Sequence, residues 1–343
     1  MDIVLGLLLV SFFVNGLLFV PFINLLYRFK FQRKNQKTKD AFENRTPIFD
    51  KYHSLKAGTP VGGGLLIIAT TSILFGLSVF LLPFFWVKVT SVYPLIDEVK
   101  ILLFTFISFG FLGLYDDVKK TFVVEEHFFG LRMRHKFIFE IILAVIIAFM
   151  LYSRLKIDFV YLPLVGVIHG GWLYIPFATF VIVAFTNAFN ITDGLDGLAS
   201  GLLMIALFAF WGISFSILDT PLALFISIWI GALIAFLYFN VYPSRIFLGD
   251  VGALSFGATL AVIGLILGKT FSLIIVGGIF VIEVGSSLLQ LLSKRFYKRK
   301  LFIAAPLHLM LQYRGWPEPK IVMRAWLLGI IFACIGLWIA FVA

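Results

Sequence analysis

Charge is what this chain has least of. Only 13% of its 343 residues are charged, and Asp and Glu together number 18. A water-soluble domain carries roughly twice that fraction of charge, so a soluble enzyme is excluded. Cysteine is almost absent: Cys334 stands alone in the last apolar run. That excludes a disulfide framework and any multi-cysteine metal site. No basic stretch precedes the first apolar run, and that run is too long for a signal-peptide core, so it reads as a retained span. What remains is apolar surface: 61% of residues are hydrophobic and the mean hydropathy is +1.04. These values predict an all-α integral membrane protein, one polytopic domain over residues 1–343. Helices rather than a barrel follow from runs that are continuous instead of alternating.

About 20 apolar residues cross the hydrocarbon core as a helix. Ten such runs can be drawn, over 3–27, 61–85, 99–115, 137–153, 175–191, 199–218, 222–240, 252–268, 270–291 and 322–342. With ten spans the connections alternate sides. One side, made of 28–60, 116–136, 192–198, 241–251 and 292–324, holds 23 of the 28 Lys and Arg residues. The other has Lys88, Lys100, Arg154, Lys156 and Lys269. The positive-inside rule makes the first side cytoplasmic and puts both termini outside. The net charge of +10 is then topology and attraction to the lipid bilayer's anionic headgroups, and nucleic acid is not expected as a partner.

Four polar strings interrupt the apolar runs: Leu114-Tyr-Asp-Asp-Val-Lys119, Asn187-Ala-Phe-Asn-Ile-Thr-Asp-Gly-Leu-Asp-Gly197, Phe247-Leu-Gly-Asp-Val-Gly252 and Ala305-Pro-Leu-His308. All four fall on the expected cytoplasmic side. Asp116 and Asp117 end the third run; neighbours on a helix point about 100° apart, so the two can serve different partners. Asn187, Asn190, Asp193 and Asp196 are spaced three apart, which on a helix would share a face; Thr192 and Asp193 could also cap the sixth span. Asp250 precedes the eighth run, where a lone acid is a common cap, yet Asn240 and Arg245 on the same loop suggest a polar site. The string Lys56-Ala-Gly-Thr-Pro-Val-Gly-Gly-Gly64 could present N–H groups to an anion or could serve close helix packing. Glu283 inside the ninth run is an intramembrane acid. His53, His127, His135 and His169 show no metal-ligand spacing.

Asp and Asn oxygens without Cys or clustered His suit a hard ion, with Mg²⁺ the default cofactor, bound through one or two carboxylates and substrate phosphates. Spare carboxylates could act as base or nucleophile. Lys56, Lys119, Lys120 and Lys136 can offer point charges to phosphate oxygens. A site at the membrane interface suits one substrate from the cytosol and another held in lipid, as in phosphoryl transfer from a nucleotide-sugar to a lipid phosphate.

On these strings the chain resembles the polyprenyl-phosphate N-acetylhexosamine-1-phosphate transferases, nearly end to end. Lys56-Ala-Gly-Thr-Pro60, Asp116-Asp117, Asn187 to Gly197, Asn240, Phe247 to Gly252 and Phe280-Val-Ile-Glu283 carry the likeness. Ala305-Pro-Leu-His308 and Gly315-Trp-Pro-Glu-Pro-Lys320 favour the muramoyl-pentapeptide branch. The resemblance implies ten helices, a cytoplasmic site and a bacterial inner (plasma) membrane location, and it suggests a homodimer. It implies the transfer of phospho-MurNAc-pentapeptide from UDP-MurNAc-pentapeptide to undecaprenyl phosphate, giving lipid I and UMP for peptidoglycan. Asp250 matches the Mg²⁺-binding aspartate, and Asp116, beside Asp117, the acid proposed to deprotonate the lipid phosphate. Asp193, Gly194, Leu195 and Asp196 match the uridine-binding segment, with Lys56 and Thr59 in the preceding motif. Asn187, Asn190, Asn240, Lys119, Lys136 and His308 match other active-site positions.

Two departures stand out. Where the branch carries three consecutive histidines this chain reads His308-Leu309-Met310, and Val61 and Gly62 replace Thr and Met in the glycine string. The first leaves another UDP-sugar, such as UDP-GlcNAc, open as donor. A cation or proton transporter is the alternative of another class, but transporters bind near the midplane and often show repeated halves. Here the acids gather at one interface and no clear repeat is seen.

Overall fold

The computed structural model describes residues 2–32, 50, 52, 56–85, 89–122 and 133–342. His53, His127 and Lys88 lie outside the described residues, as does much of the basic segment 28–60. The elements are α1 (Asp2–Arg28), α2 (Gly63–Leu81), α3 (Leu95–Phe122), α4 (Met133–Arg154), a hairpin of β1 (Phe159–Leu162) and β2 (Gly166–His169), α5 (Tyr174–Thr192), α6 (Leu198–Ser216), α7 (Thr220–Asn240), α8 (Gly249–Ile266), α9 (Thr270–Val276), α10 (Gly278–Phe296), α11 (Leu307–Tyr313) and α12 (Glu318–Phe341). The antiparallel hairpin is small, and the protein is an all-α, multi-span membrane fold.

Eight described helices are long and apolar enough to cross a bilayer, and the α9–α10 pair, bent by 79°, would make nine. The sequence drew ten. The ninth run is broken because Gly277 and Gly278 sit at its middle, where a pair of small residues permits a sharp kink. α3 is the remaining element: its ends carry Asp97, Glu98, Lys100, Asp116, Asp117, Lys119 and Lys120, while residues 101–115 hold no charge.

α8 is the axis of the bundle, with every residue buried. It packs against α3, α5 and α2, while α7 takes α1, α2 and α6 on its flanks. Lipid tails are as apolar as leucine, so packing and close approach hold such helices together. Phe106, Phe225, Trp229 and Phe256 interlock with ring centroids 5.0–5.7 Å apart. A Cβ on Gly113 of α3 would lie 2.1 Å from the Asp250 carbonyl oxygen, so this glycine lets α3 press the Asp116 turn onto the start of α8. Asn15 on α1 accepts from Thr70 on α2 at 2.8 Å, and Ser11 donates to Ile228 O on α7 at 2.6 Å. In a bilayer, polar bonds of this kind fix which helices meet.

Candidate active site

The residues of all four polar strings meet at one end of the bundle. α3 does not stop at Asp116 and Asp117 but continues to Phe122. The extra turns place Lys120 four residues after Asp116, its Nζ 2.9 Å from Asp116 Oδ2. The same ammonium lies 2.5 Å from Asp250 Oδ2. Lys136, at the start of α4, reaches the same two oxygens at 3.3 and 2.9 Å. Two carboxylates and two ammoniums from three helices thus form one compact, charge-balanced cluster. Of the two adjacent candidate lysines, Lys120 bridges the carboxylates of Asp116 and Asp250, and Lys119 Nζ lies over the Tyr115 ring at 4.5 Å.

Asp117 has a different partner, as its 100° offset from Asp116 allows. It is fully buried and accepts from Val251 N at 3.0 Å. An orphan N–H in the first turn of α8 is thereby satisfied by another helix. Asp250 itself makes no cap: the N-cap position is Leu248, without a side-chain bond. The cap that a lone acid before α8 could have supplied comes from Asp117 instead, and Asp250 Oδ2 faces Lys120 and Lys136.

Beside this cluster, Asn187 Nδ2 donates to Glu140 Oε2 at 2.6 Å. Glu140 is 1% exposed and lies one turn beyond Lys136. It was not singled out from the sequence, though its spacing from Lys136 inside an apolar run is the available signal. Asn190 lies half-buried about one turn after Asn187. The shared helical face stops there, because α5 ends at Thr192 and Asp193 is its C-cap. Asp193 to Gly197 form a turn, so Asp193 and Asp196 are placed by loop geometry instead of helical spacing. The side chain of Leu195 is buried in the apolar core.

That turn is held on every side. Lys56 Nζ donates to Asp196 Oδ1 at 2.7 Å and to Glu318 Oε1 at 2.5 Å. Asp196 N donates to Glu318 Oε1 at 2.6 Å, and Ser244 N to Asp196 Oδ2 at 3.0 Å. Glu318, in the Trp-Pro-Glu-Pro string, is thus a site residue that sequence reasoning quoted without giving it a role. Thr59 lies half-buried in the turn following Lys56. Asn240 Oδ1 accepts from Gly197 N and Ser200 Oγ, both at 3.2 Å, while its Nδ2 donates to Ile246 O at 2.9 Å. His308 is 1% exposed, with Nδ1 3.1 Å from Glu283 Oε2. A Cβ on Gly194 would lie 2.5 Å from His308 Nε2, so glycine is required there while the imidazole keeps its place.

The glycine string is not an anion cradle. Gly62 and Gly63 N–H groups donate to Phe247 O, and Gly64 N–H to Leu248 O. A Cβ on Gly64 would lie 2.3 Å from Gly252 Cα. The string packs α2 against Phe247, Leu248 and the first turn of α8, which carries Asp250, and the amides of Gly62, Gly63 and Gly64 are consumed in doing so.

Residues 99–268 match the model of the glycosyl transferase family 4. Relatives extend the match to nearly the whole chain. A phospho-N-acetylmuramoyl-pentapeptide-transferase of Methylacidiphilum infernorum is 33% identical, over 97% of this chain and 92% of its own. The protein of that name in Aquifex aeolicus is 34% identical, over 96% and 90%. In Staphylococcus epidermidis it is 37% identical, over 84% and 87%. With its helical membrane fold and its clustered aspartates and lysines, the chain belongs to the phospho-N-acetylmuramoyl-pentapeptide-transferase family.

Proposed function

We propose that this protein transfers phospho-MurNAc-pentapeptide from UDP-MurNAc-pentapeptide to undecaprenyl phosphate, releasing UMP, at the cytoplasmic face of a bacterial plasma membrane. The observation that carries this reading is the convergence of Asp116, Asp250, Lys120 and Lys136 at one helical end. Such a cluster exchanges its internal ion pairs for phosphate and metal with little net change of charge. The donor set fits Mg²⁺: hard carboxylate oxygens, two at hand, the rest from water and substrate phosphate. Asp250 would hold the ion with Asp116 beside it; when bound, the ion neutralises phosphate charge and stabilises the leaving group.

The residues then divide the work. Lys120 and Lys136 bind phosphate oxygens as point charges. Asp116 accepts the proton of the lipid phosphate, whose freed oxygen attacks the sugar-bearing phosphorus. The pyrophosphate P–O bond breaks, a new one forms to the lipid, and UMP leaves with the bond's electron pair. Asp117 keeps α8, and hence Asp250, in place. The turn 193–197 with Lys56 and Glu318 forms the nucleoside end, and His308 on Glu283 borders it.

Purified protein in detergent, with Mg²⁺ and undecaprenyl phosphate, should release UMP from UDP-MurNAc-pentapeptide and not from UDP-GlcNAc. UMP from UDP-GlcNAc alone would make it a sister transferase with a different donor. No UMP from either would refute the transferase reading.

A further inference from the structure

α10 inverts the pattern of a soluble amphipathic helix. Ile282, Leu288, Leu289 and Leu292 are exposed on its outer side. Glu283, Ser286, Gln290 and Ser293 follow at intervals of three, four and three residues, which keeps them on one face. Each of these four binds the chain that returns after the helix. Ser293 Oγ donates to Arg299 O at 2.9 Å. Gln290 Oε1 accepts from Leu301 N and Phe302 N at 2.9 and 2.8 Å, and its Nε2 donates to Phe302 O at 2.9 Å. Ser286 Oγ accepts from Leu307 N at 3.1 Å. Glu283 Oε1 accepts from His308 N at 3.2 Å.

The four rungs run in antiparallel order and end on His308. Residues 297–306 form no helix or strand, so their backbone groups need partners elsewhere, and α10 supplies them as side chains. A slip of one residue along this segment would break the rungs together. The register of the segment therefore decides where the imidazole lands, and Gly194 leaves it no spare room.

We propose that Gln290 is a positioning residue of the site. Its carboxamide holds three backbone groups of residues 301–302, fixes the register of the returning segment and so seats His308 against the Gly194 turn. The structural half stands on the ladder alone; the kinetic half rests on the transferase reading above.

The test uses full-length protein ¹³C-labelled at histidine Cε1. The chain has five histidines, and the His308 signal is assigned by its loss in His308→Gln. Gln290→Met is near-isosteric and removes all three bonds, whereas Gln290→Glu keeps the two accepted ones. In Gln290→Met the His308 signal should shift or broaden. The KM for the nucleotide-sugar should rise about tenfold, the equivalent of one or two hydrogen bonds, with the KM for lipid phosphate unchanged. Gln290→Glu should restore the signal and most of the KM. Ser293→Ala, at the outer rung, should act in the same direction but less, and it stands in if Gln290→Met does not fold. An unmoved His308 signal in these variants would overturn the positioning role. A moved signal with both KM values unchanged would overturn the link from register to site. A moved signal in a protein without any transferase turnover would sink the functional reading and leave the register role standing.

Discussion

Replacing Asp250 by Asn tests whether the charge cluster is both a stability element and a working site. Asp250 Oδ2 takes an ammonium from each side, Lys120 at 2.5 Å and Lys136 at 2.9 Å, with side chains 12, 25 and 16% exposed. Asp250→Asn removes one negative charge and leaves the two ammoniums to Asp116 and, for Lys136, the nearby Glu140. Positive charge is then in surplus relative to the wild type, in a site that water screens weakly. Removing one partner of a buried pair costs about 3–5 kcal/mol. Lys120 is a quarter exposed and can swing toward water, so about 2–3 kcal/mol is expected here. Adding Lys120→Met removes the surplus charge, and the double variant should regain most of the lost apparent Tm. Turnover should not return: both variants lack the carboxylate proposed for the metal and should fall by about a thousandfold or more. Thermal unfolding in detergent and UMP release with saturating Mg²⁺ read the two effects separately. The reasoning fails if Asp250→Asn unfolds at the wild-type temperature, keeps near-wild-type turnover, or regains turnover on adding Lys120→Met.

Asp116→Asn should remove turnover while nucleotide-sugar binding, followed by titration calorimetry, stays within about threefold; a collapse of affinity would make Asp116 a binding residue. Asp117→Asn should lose about 1 kcal/mol of stability as a weakened cap and only about tenfold in turnover, because it touches α8 instead of phosphate. Glu318→Gln should raise the nucleotide-sugar KM about tenfold with kcat little changed, and the opposite split would remove Glu318 from the nucleoside end. At the other end of the bundle, Glu98 and Asp219 form a buried carboxyl pair. Burial first, then the charge of Asp219, pushes Glu98 up to about 8 from an ordinary value of 4.5; Asp219 is also raised, chiefly by burial. A carboxyl raised in the folded state stabilises the fold at low pH and loses that contribution as pH rises through the folded value. Apparent Tm should therefore fall between about pH 5 and 8. Asp219→Asn should flatten that slope, and a Tm that rises over the same interval would contradict it.

Periodicity and composition carried the helices, since long apolar runs have few other fates in a bilayer. They failed where local chemistry was silent. The break at Gly277 and Gly278 lies inside a run apolar enough to read as one span. The extension of α3 past Asp117 brings Lys120 onto Asp116, but in sequence Lys119 and Lys120 are equivalent candidates. The glycine string looked equally fit for an anion or for packing, and only the carbonyls of Phe247 and Leu248 decide between them. Asp193 and Asp196 were placed on a helical face by spacing, yet α5 ends before them. Glu140 and Glu318 gave little signal, because an acid's significance there depends on which lysine or amide faces it.

By itself the sequence determined a membrane-embedded helical bundle, the scarcity of its acids and their gathering near the ends of apolar runs. Those properties follow from hydrophobic transfer and helical reach, which are local in the chain. The tertiary structure alone decided the pairings. Asp117 caps α8, and Asp250 pairs with Lys120 and Lys136. Lys56 joins Asp196 to Glu318, and the polar face of α10 sets His308 on Gly194. Each pairing joins residues distant in sequence, and which of several like charges meet is fixed by close packing at glycines such as Gly113, where backbones touch and no other register fits.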